Sequence, residues 1–239
     1  MKQIMRPSLA AVAVIAALGV AGISQAQTKS TSATVTKAQA SQILGYELAT
    51  QFPSWAHDMV DPQQVGQAVT RALQGQKPTM SEAQLKVAVP AFRQELAARG
   101  KQEYDRVSAQ NKSEGAAYLA KNKSQPGVHV TADGLQYQVI TQGTGPKPTA
   151  TDTVQVNYTG SFVNGQVFDA SAAHGSGPAK IDLNNVFPGF KEALMMMPTG
   201  SHYKFVIPSD LAYGADPKNG FQPNATLRFD VTLVKIGAN

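Results

Sequence analysis

The chain has 239 residues, no cysteine, and a formal net charge of +5 carried by 21 basic and 16 acidic residues. Without cysteine there is no disulfide framework, no lipid anchor through an N-terminal Cys and no sulfur ligand for a metal. From Gly134 onward seven basic residues meet seven acidic ones, so the positive excess is too small and scattered for a nucleic-acid footprint.

The first element is a leader. Lys2 and Arg6 form a basic start, Leu9 to Ile23 is almost wholly apolar, and Ser24-Gln25-Ala26 puts small residues at the −3 and −1 positions of a cleavage site. The pattern predicts a secretory signal peptide over residues 1–26, cut after Ala26. A membrane anchor is the other reading, but the run is short for a span, which needs ~20 apolar residues. Cleavage leaves a net charge of +3 and no later apolar segment of spanning length, so a soluble exported chain is expected.

Residues 27–35 are rich in Ser and Thr and read as a disordered lead-in. Ala, Gln, Lys and Glu at helical spacing follow. Ile43, Leu44, Leu48 and Phe52 fall on one face of a first helix that Pro53 ends. Asp61 as N-cap, Pro62 at N1 and Gln64 at N3 open a second. Its predicted buried stripe is Val65, Ala68, Val69, Ala72 and Leu73, with Gly75 as the stop. Ser81 caps a third, with Gln84 at N3 and Leu85, Val89, Phe92 and Leu96 stepping by three or four.

Pro90 inside that third run predicts a kink or a break. Residues 91–122 are polar and thinly apolar, which suits either an exposed spacer or one half of an intermolecular pair. Three such helices hold few large apolar side chains for a core of their own. Dimerisation through this half is therefore expected, with an undocked helical arm as the alternative.

Ser124-Gln125-Pro126-Gly127 is a linker signal, and the pattern then changes. Leu135, Tyr137 and Val139; Val154, Val156 and Tyr158; Tyr203, Phe205 and Ile207; and Leu227, Phe229, Val231 and Leu233 each alternate with polar residues as strands do. Asn164-Gly165 marks a hairpin turn, and Phe187 to Met197 is a short helical stretch opening at Pro188-Gly189. The expected class is α+β: an antiparallel sheet wrapped on one short helix, preceded by an all-helical domain with a long connecting helix. The division is 1–26 signal peptide, 27–125 helical dimerisation domain and long helix, and 126–239 sheet domain.

Conventional catalytic equipment is absent from the sequence. His57, His129, His174 and His202 have no ligand spacing, so no metal site is expected. Gly143-Thr144-Gly145-Pro146-Lys147 lacks phosphate-loop spacing, and Gly175-Ser176-Gly177 is not a nucleophile elbow. What remains is a set of aromatic and apolar residues at strand ends and in connections: Tyr158, Phe168, Val186, Phe187, Phe190, Tyr213, Phe221 and Phe229, with Asp169 among them. Core packing accounts for any one Phe, and less readily for those in loops.

Four separated motifs, "VNYTGSFVNGQVFDAS", "NNVFPGFKEAL", "VIPSDLAYGA" and "NATLRFDVTLVKI", resemble the FKBP family of peptidyl-prolyl isomerases in content and order. The likeness spans Gly134 to Ile236. The layout of signal sequence, helical half, long helix and C-terminal sheet is similar to the periplasmic FkpA and macrophage infectivity potentiator group. The resemblance implies a cofactor-free isomerase acting on proline-containing unfolded or partly folded proteins in the periplasm or at the outer membrane, with macrolide immunophilin ligands sharing its pocket. It implies Asp169, Tyr213 and the Phe187 backbone N–H as the polar groups that act on the peptide. Tyr158, Phe168, Val186, Phe190, Ala212, Phe221 and Phe229 are implied as the proline-binding wall.

The loop from Asp216 to Gln222 resembles the family's flap. Two residues depart from the family pattern: Phe190 replaces the usual Trp of the pocket floor, and Ala179 stands where another Phe is common. A wider or shallower pocket follows. A holdase chaperone with a catalytically weak FKBP module is the rival, with Met195-Met196-Met197 either as adaptable client surface or as packing of the short helix.

Overall fold

A computed structural model describes residues 35–217 and 221–237. The leader, its cleavage site and most of the Ser/Thr lead-in lie outside the described residues, as do residues 218–220 of the loop expected over the pocket. The chain divides into two compact units, 1–51 and 52–239.

In the first unit, Thr36 opens α1 (Lys37–Gln51) by exchanging hydrogen bonds with Gln39: Gln39 N–H donates to the Thr36 hydroxyl at 3.2 Å and Thr36 N–H to Gln39 Oε1 at 2.9 Å. The helix buries none of its residues.

The second unit begins with a 3-10 turn over Ser54–Met59, which packs on the long helix α3 (Glu82–Asn122). Trp55 lies over Gly100, where a Cβ would stand 3.2 Å from the ring, and Arg99 pairs with Asp58 at 2.7 Å. Before α3 comes α2 (Pro62–Leu73), capped by the Asp61 carboxylate, which accepts from Gln63 and Gln64 N–H at 2.8 and 3.3 Å. The stripe expected to be buried on α2 is open: Val65 is 46% and Leu73 74% exposed. A two-sided helix of this length needs a facing surface, and among the described residues this chain supplies none.

α3 starts in the expected capping box of Ser81 and Gln84. Of the kink or break expected at Pro90, the break does not occur: the helix runs 41 residues through it. The proline removes one backbone donor, and the helix continues on both sides of it.

The remainder is a seven-stranded antiparallel sheet: β1 (Val128–Val130), β2 (Gln136–Thr141), β3 (Thr153–Phe162), β4 (Val167–Ala170), β5 (Ala179–Asp182), β6 (His202–Ile207) and β7 (Leu227–Ile236). Its order is β1-β2-β6-β7-β3-β4, with β5 also on β3. The long β3 pairs along one side with β7 and on the other first with β5 and then with β4. α4 (Pro188–Met196) lies against the core-facing side, and Leu194 and Met197 are buried with Val154, Val156, Val231 and Leu233. Met195 and Met196 also pack on this core, so the methionine run serves the sheet. The architecture is the α+β arrangement expected.

The second half of α3 is neither spacer nor free arm. It docks on the face of the sheet opposite α4. Gly115 is buried, and a Cβ there would stand 2.3 Å from Thr226 Oγ1. Gln136, 3% exposed, donates to the Leu119 carbonyl at 3.0 Å and accepts from Asn122 at 2.9 Å. Polar residues can dock so because each buried donor and acceptor finds a partner.

Candidate functional site

The β3–β4 hairpin delivers the first components. Asn164-Gly165 makes the turn, with Gly165 at φ +92° and Phe162 N–H closing onto the Gln166 carbonyl at 2.9 Å. β4 runs through Phe168 and Asp169 to Ala170, so Phe168 lies within the strand rather than at its end. Opposite Asp169 is Gly160, where a Cβ would come within 2.8 Å of the Phe168 ring and 2.9 Å of the Phe229 ring. Only glycine leaves room for both rings there.

The start of α4 delivers the next. Val186 precedes Phe187, which takes the N-cap position with extended backbone (φ −67°, ψ 155°) because Pro188 fixes the first helical residue. The Phe187 carbonyl accepts from Phe190 and Lys191 N–H at 3.1 Å each, while among the described residues no group accepts its own N–H. Phe190 is 4% exposed, its ring 4.6 Å from that of Phe229 and 6.2 Å edge-on to Tyr158, which makes it the floor.

Tyr213 follows Ala212 in the connection after β6, its ring 5.0 Å from Phe187 and 4.4 Å from Phe221. Phe221 reaches on to Phe168 at 5.0 Å. Val186 and Ala212 pack at the core margin beside these rings. All ten residues singled out in the sequence therefore belong to one neighbourhood.

Its polar edge is a network on Asp169. Tyr158 donates its hydroxyl to Oδ2 at 2.6 Å, and His174 Nε2 lies 2.7 Å from Oδ1. Burial works to raise the Asp169 pKa, but the hydrogen bonds from Tyr158 and His174 and the charge of the imidazole outweigh it and hold the carboxyl below its ordinary value. Burial, and then the hydrogen bond and charge of Asp169, push the Tyr158 phenol up. Burial and the same carboxylate push up Tyr213. At neutral pH the site thus carries one carboxylate between two protonated phenols. A hollow of about 620 Å³ opens beside it, bordered by Tyr158, Asp169, His174, Ala179 and Ile181.

Two contributors escape sequence reasoning. Phe162, whose ring is 5.1 Å from Phe168 and 5.4 Å from Phe221, reads as one more alternating strand residue. His174 has no ligand spacing. Its only signal is that it follows Asp169 by five residues, across the 3-10 turn Ser171–His174. Among the described residues no three His, Asp or Glu side chains gather as a metal site, and no helix is long and apolar enough to cross a membrane.

Comparison with known proteins agrees across the chain. Residues 145–234 match the family described as FKBP-type peptidyl-prolyl cis-trans isomerase, and residues 37–139 match the domain amino terminal to it. The outer membrane protein MIP of Legionella longbeachae is 37% identical over 88% of this chain and 90% of its own length. The FKBP-type 22 kDa peptidyl-prolyl cis-trans isomerase of Escherichia coli is 36% identical over 84% of this chain and 95% of its own. The crystal structure of FkpA from Escherichia coli superposes with a TM-score of 0.64 at 30% identity, covering 84% of this chain and 97% of that one.

Proposed function

The chain belongs to the FKBP-type peptidyl-prolyl cis-trans isomerases, and from that premise we propose how its pocket turns an X–Pro bond and where it does so. Rotation about X–Pro crosses a barrier of roughly 20 kcal/mol and takes tens of seconds or more unaided. The planar amide owes its stiffness to resonance, which separates charge. A proline ring held among Phe168, Phe190 and Phe229 takes that amide out of water and disfavours the charge-separated form. The Phe187 N–H holds a substrate carbonyl while the carbonyl before proline swings past Asp169 and the Tyr213 hydroxyl. Contacts that fit the twisted state better than either planar one lower the barrier. A ~10⁴-fold acceleration needs only ~5.5 kcal/mol, and no step moves a proton or requires a metal.

The observation that carries this reading is one aromatic wall of Phe168, Phe187, Phe190, Tyr213 and Phe229 with the Asp169 carboxylate, held by Tyr158, at its edge. Phe190 and Ala179 leave that wall roomy, which suits proline and loosens the grip on a macrolide.

Catalysis falls to residues 126–239 and dimerisation to the helices within 27–125, whose exposed Val65, Leu73, Val87 and Phe92 suit a second copy of the chain. The leader, and a relative named as an outer membrane protein, support an exported protein, which we read as periplasmic and as assisting the folding of other exported chains. The same exposed helices favour a holdase role alongside catalysis. The methionine run, spent on the core, adds nothing to it.

The test is protease-coupled isomerisation of a short X–Pro peptide. Asp169→Ala and Tyr213→Phe are expected to lower kcat/KM by about tenfold or more, the scale of one or two lost charge-assisted hydrogen bonds. Turnover should hold as pH falls into the ordinary carboxylate range, about 4, and decline only below it, because a carboxyl with a depressed pKa keeps its charge through that range. Full activity in Asp169→Ala would remove the carboxylate from the mechanism.

A further inference from the structure

The pocket's two loop-borne walls are held from outside the sheet. Tyr213 and Phe221 flank a neck that Asn224 closes: its N–H donates to the Gly214 carbonyl at 2.8 Å, with its backbone in the left-handed region at φ +54°. Asparagine is one of the few side chains that adopt this region readily. α3 holds both sides of the neck. Ser108 Oγ accepts from the Asn224 amide at 2.7 Å, Asn111 Nδ2 donates to the Pro223 carbonyl at 2.9 Å, and the Tyr104 hydroxyl donates to the Ala215 carbonyl. These three residues step by four and three, so they form a single helix face, and the same face continues into the buried Gly115.

We propose that α3 is a positioning element of the isomerase pocket: through Tyr104, Ser108 and Asn111 it holds the neck from which Tyr213 and Phe221 face the proline. Their hydrogen bonds run to the neck at Ala215, Pro223 and Asn224, so their influence runs through the backbone they hold. The proposal rests on the reading of Tyr213 and Phe221 as pocket walls. A wall already in place costs a peptide less ordering when it binds, and the bound, twisted state then meets the same groups whether or not the wall was pre-set. The effect accordingly lies in KM, whereas loss of Asp169 lowers kcat.

The experiment uses the full-length protein with Tyr104→Phe, Ser108→Ala, Asn111→Ala and the last two combined. It reads kcat and KM on one short X–Pro peptide, amide exchange at Asn224, and Tm. The combined variant is expected to raise KM about fivefold, the scale of one or two neutral hydrogen bonds, with kcat within about twofold and faster Asn224 exchange. Ser108→Thr, which keeps the hydroxyl, is expected to retain the parent KM. Unchanged KM overturns the proposal, as does a raised KM with unchanged exchange at Asn224 or a fall in kcat matching that of Asp169→Ala. Should the parent protein turn over no peptide, the isomerase reading fails by itself, and affinity for the same peptide by titration takes the place of KM in deciding this one. Tyr104→Phe loses a single hydroxyl, so it keeps the test open if the combined variant fails to fold.

Discussion

The two halves of α3 carry opposite sequences to opposite ends. The first half is the more apolar, and there Val87 is 73% exposed with Val89 and Phe92 open as well. The second half is mostly polar, yet it docks within the chain, through Leu119 and Asn122 on the strand residue Gln136 and through Ser108 and Asn111 on the loop before β7, around the Gly115 notch. Apolar surface left open asks for a partner beyond the chain. Polar groups placed opposite matching polar groups dock within it, and a residue without a side chain lets the backbones approach.

The hardest way to break this contrast is to charge the open half. Val87→Asp with Phe92→Glu is expected to halve the mass measured by sedimentation, because those side chains are proposed to face a second copy. Short-peptide turnover should stay within about twofold, since both side chains are exposed and neither belongs to the proposed pocket. A mass unchanged by both charges would mean that the open face is not the dimer seam.

Paired glycines sharpen it further. Gly115→Ala is expected to lower stability by ~1–3 kcal/mol despite the better helix former, because its Cβ meets Thr226 and something must shift. Gly45→Ala, on α1 with nothing within 4 Å, should instead add up to ~1 kcal/mol. Urea denaturation of both variants beside the parent reads the two signs directly.

The smallest effect belongs to the exposed ion pair on the first half. Its hydrogen bond to Arg99 lowers the Asp58 pKa, so any stability it lends is present above the ordinary carboxylate pKa and is lost as pH falls through the lowered one. Both side chains are open to water, and Asp58→Asn should shift Tm by no more than about a degree at pH 7. A larger loss would assign the Ser54–Met59 turn a structural weight its exposure does not suggest.

Much of this molecule was legible in the sequence where a local rule governs. Asp61, Ser81 and Pro188 mark helix starts by capping chemistry, Asn164-Gly165 marks the hairpin, and alternation exposes the strands. The aromatic wall was legible because its members occupy motifs at fixed offsets. The rest depends on what lies opposite. The apolar stripe of α2 looks the same whether or not a surface covers it, and the stretch 91–122 looks like spacer because periodicity counts apolar residues, whereas this face docks through amides, a serine and a glycine. His174 and Phe162 reach the site only because β3 and β4 pair in one register.

The buried Gln136 has a consequence for how the molecule comes apart. Its side chain is completed by Leu119 and Asn122 on one side of the Ser124–Gly127 turn while its own strand stands on the other, and Gln138 reaches back to the Pro126 carbonyl at 3.0 Å. The segment that reads as a hinge is therefore stitched across. Loss of the sheet and loss of the last turns of α3 become one cooperative event, and a chain nicked at Ser124 would hold its two pieces together until both melt.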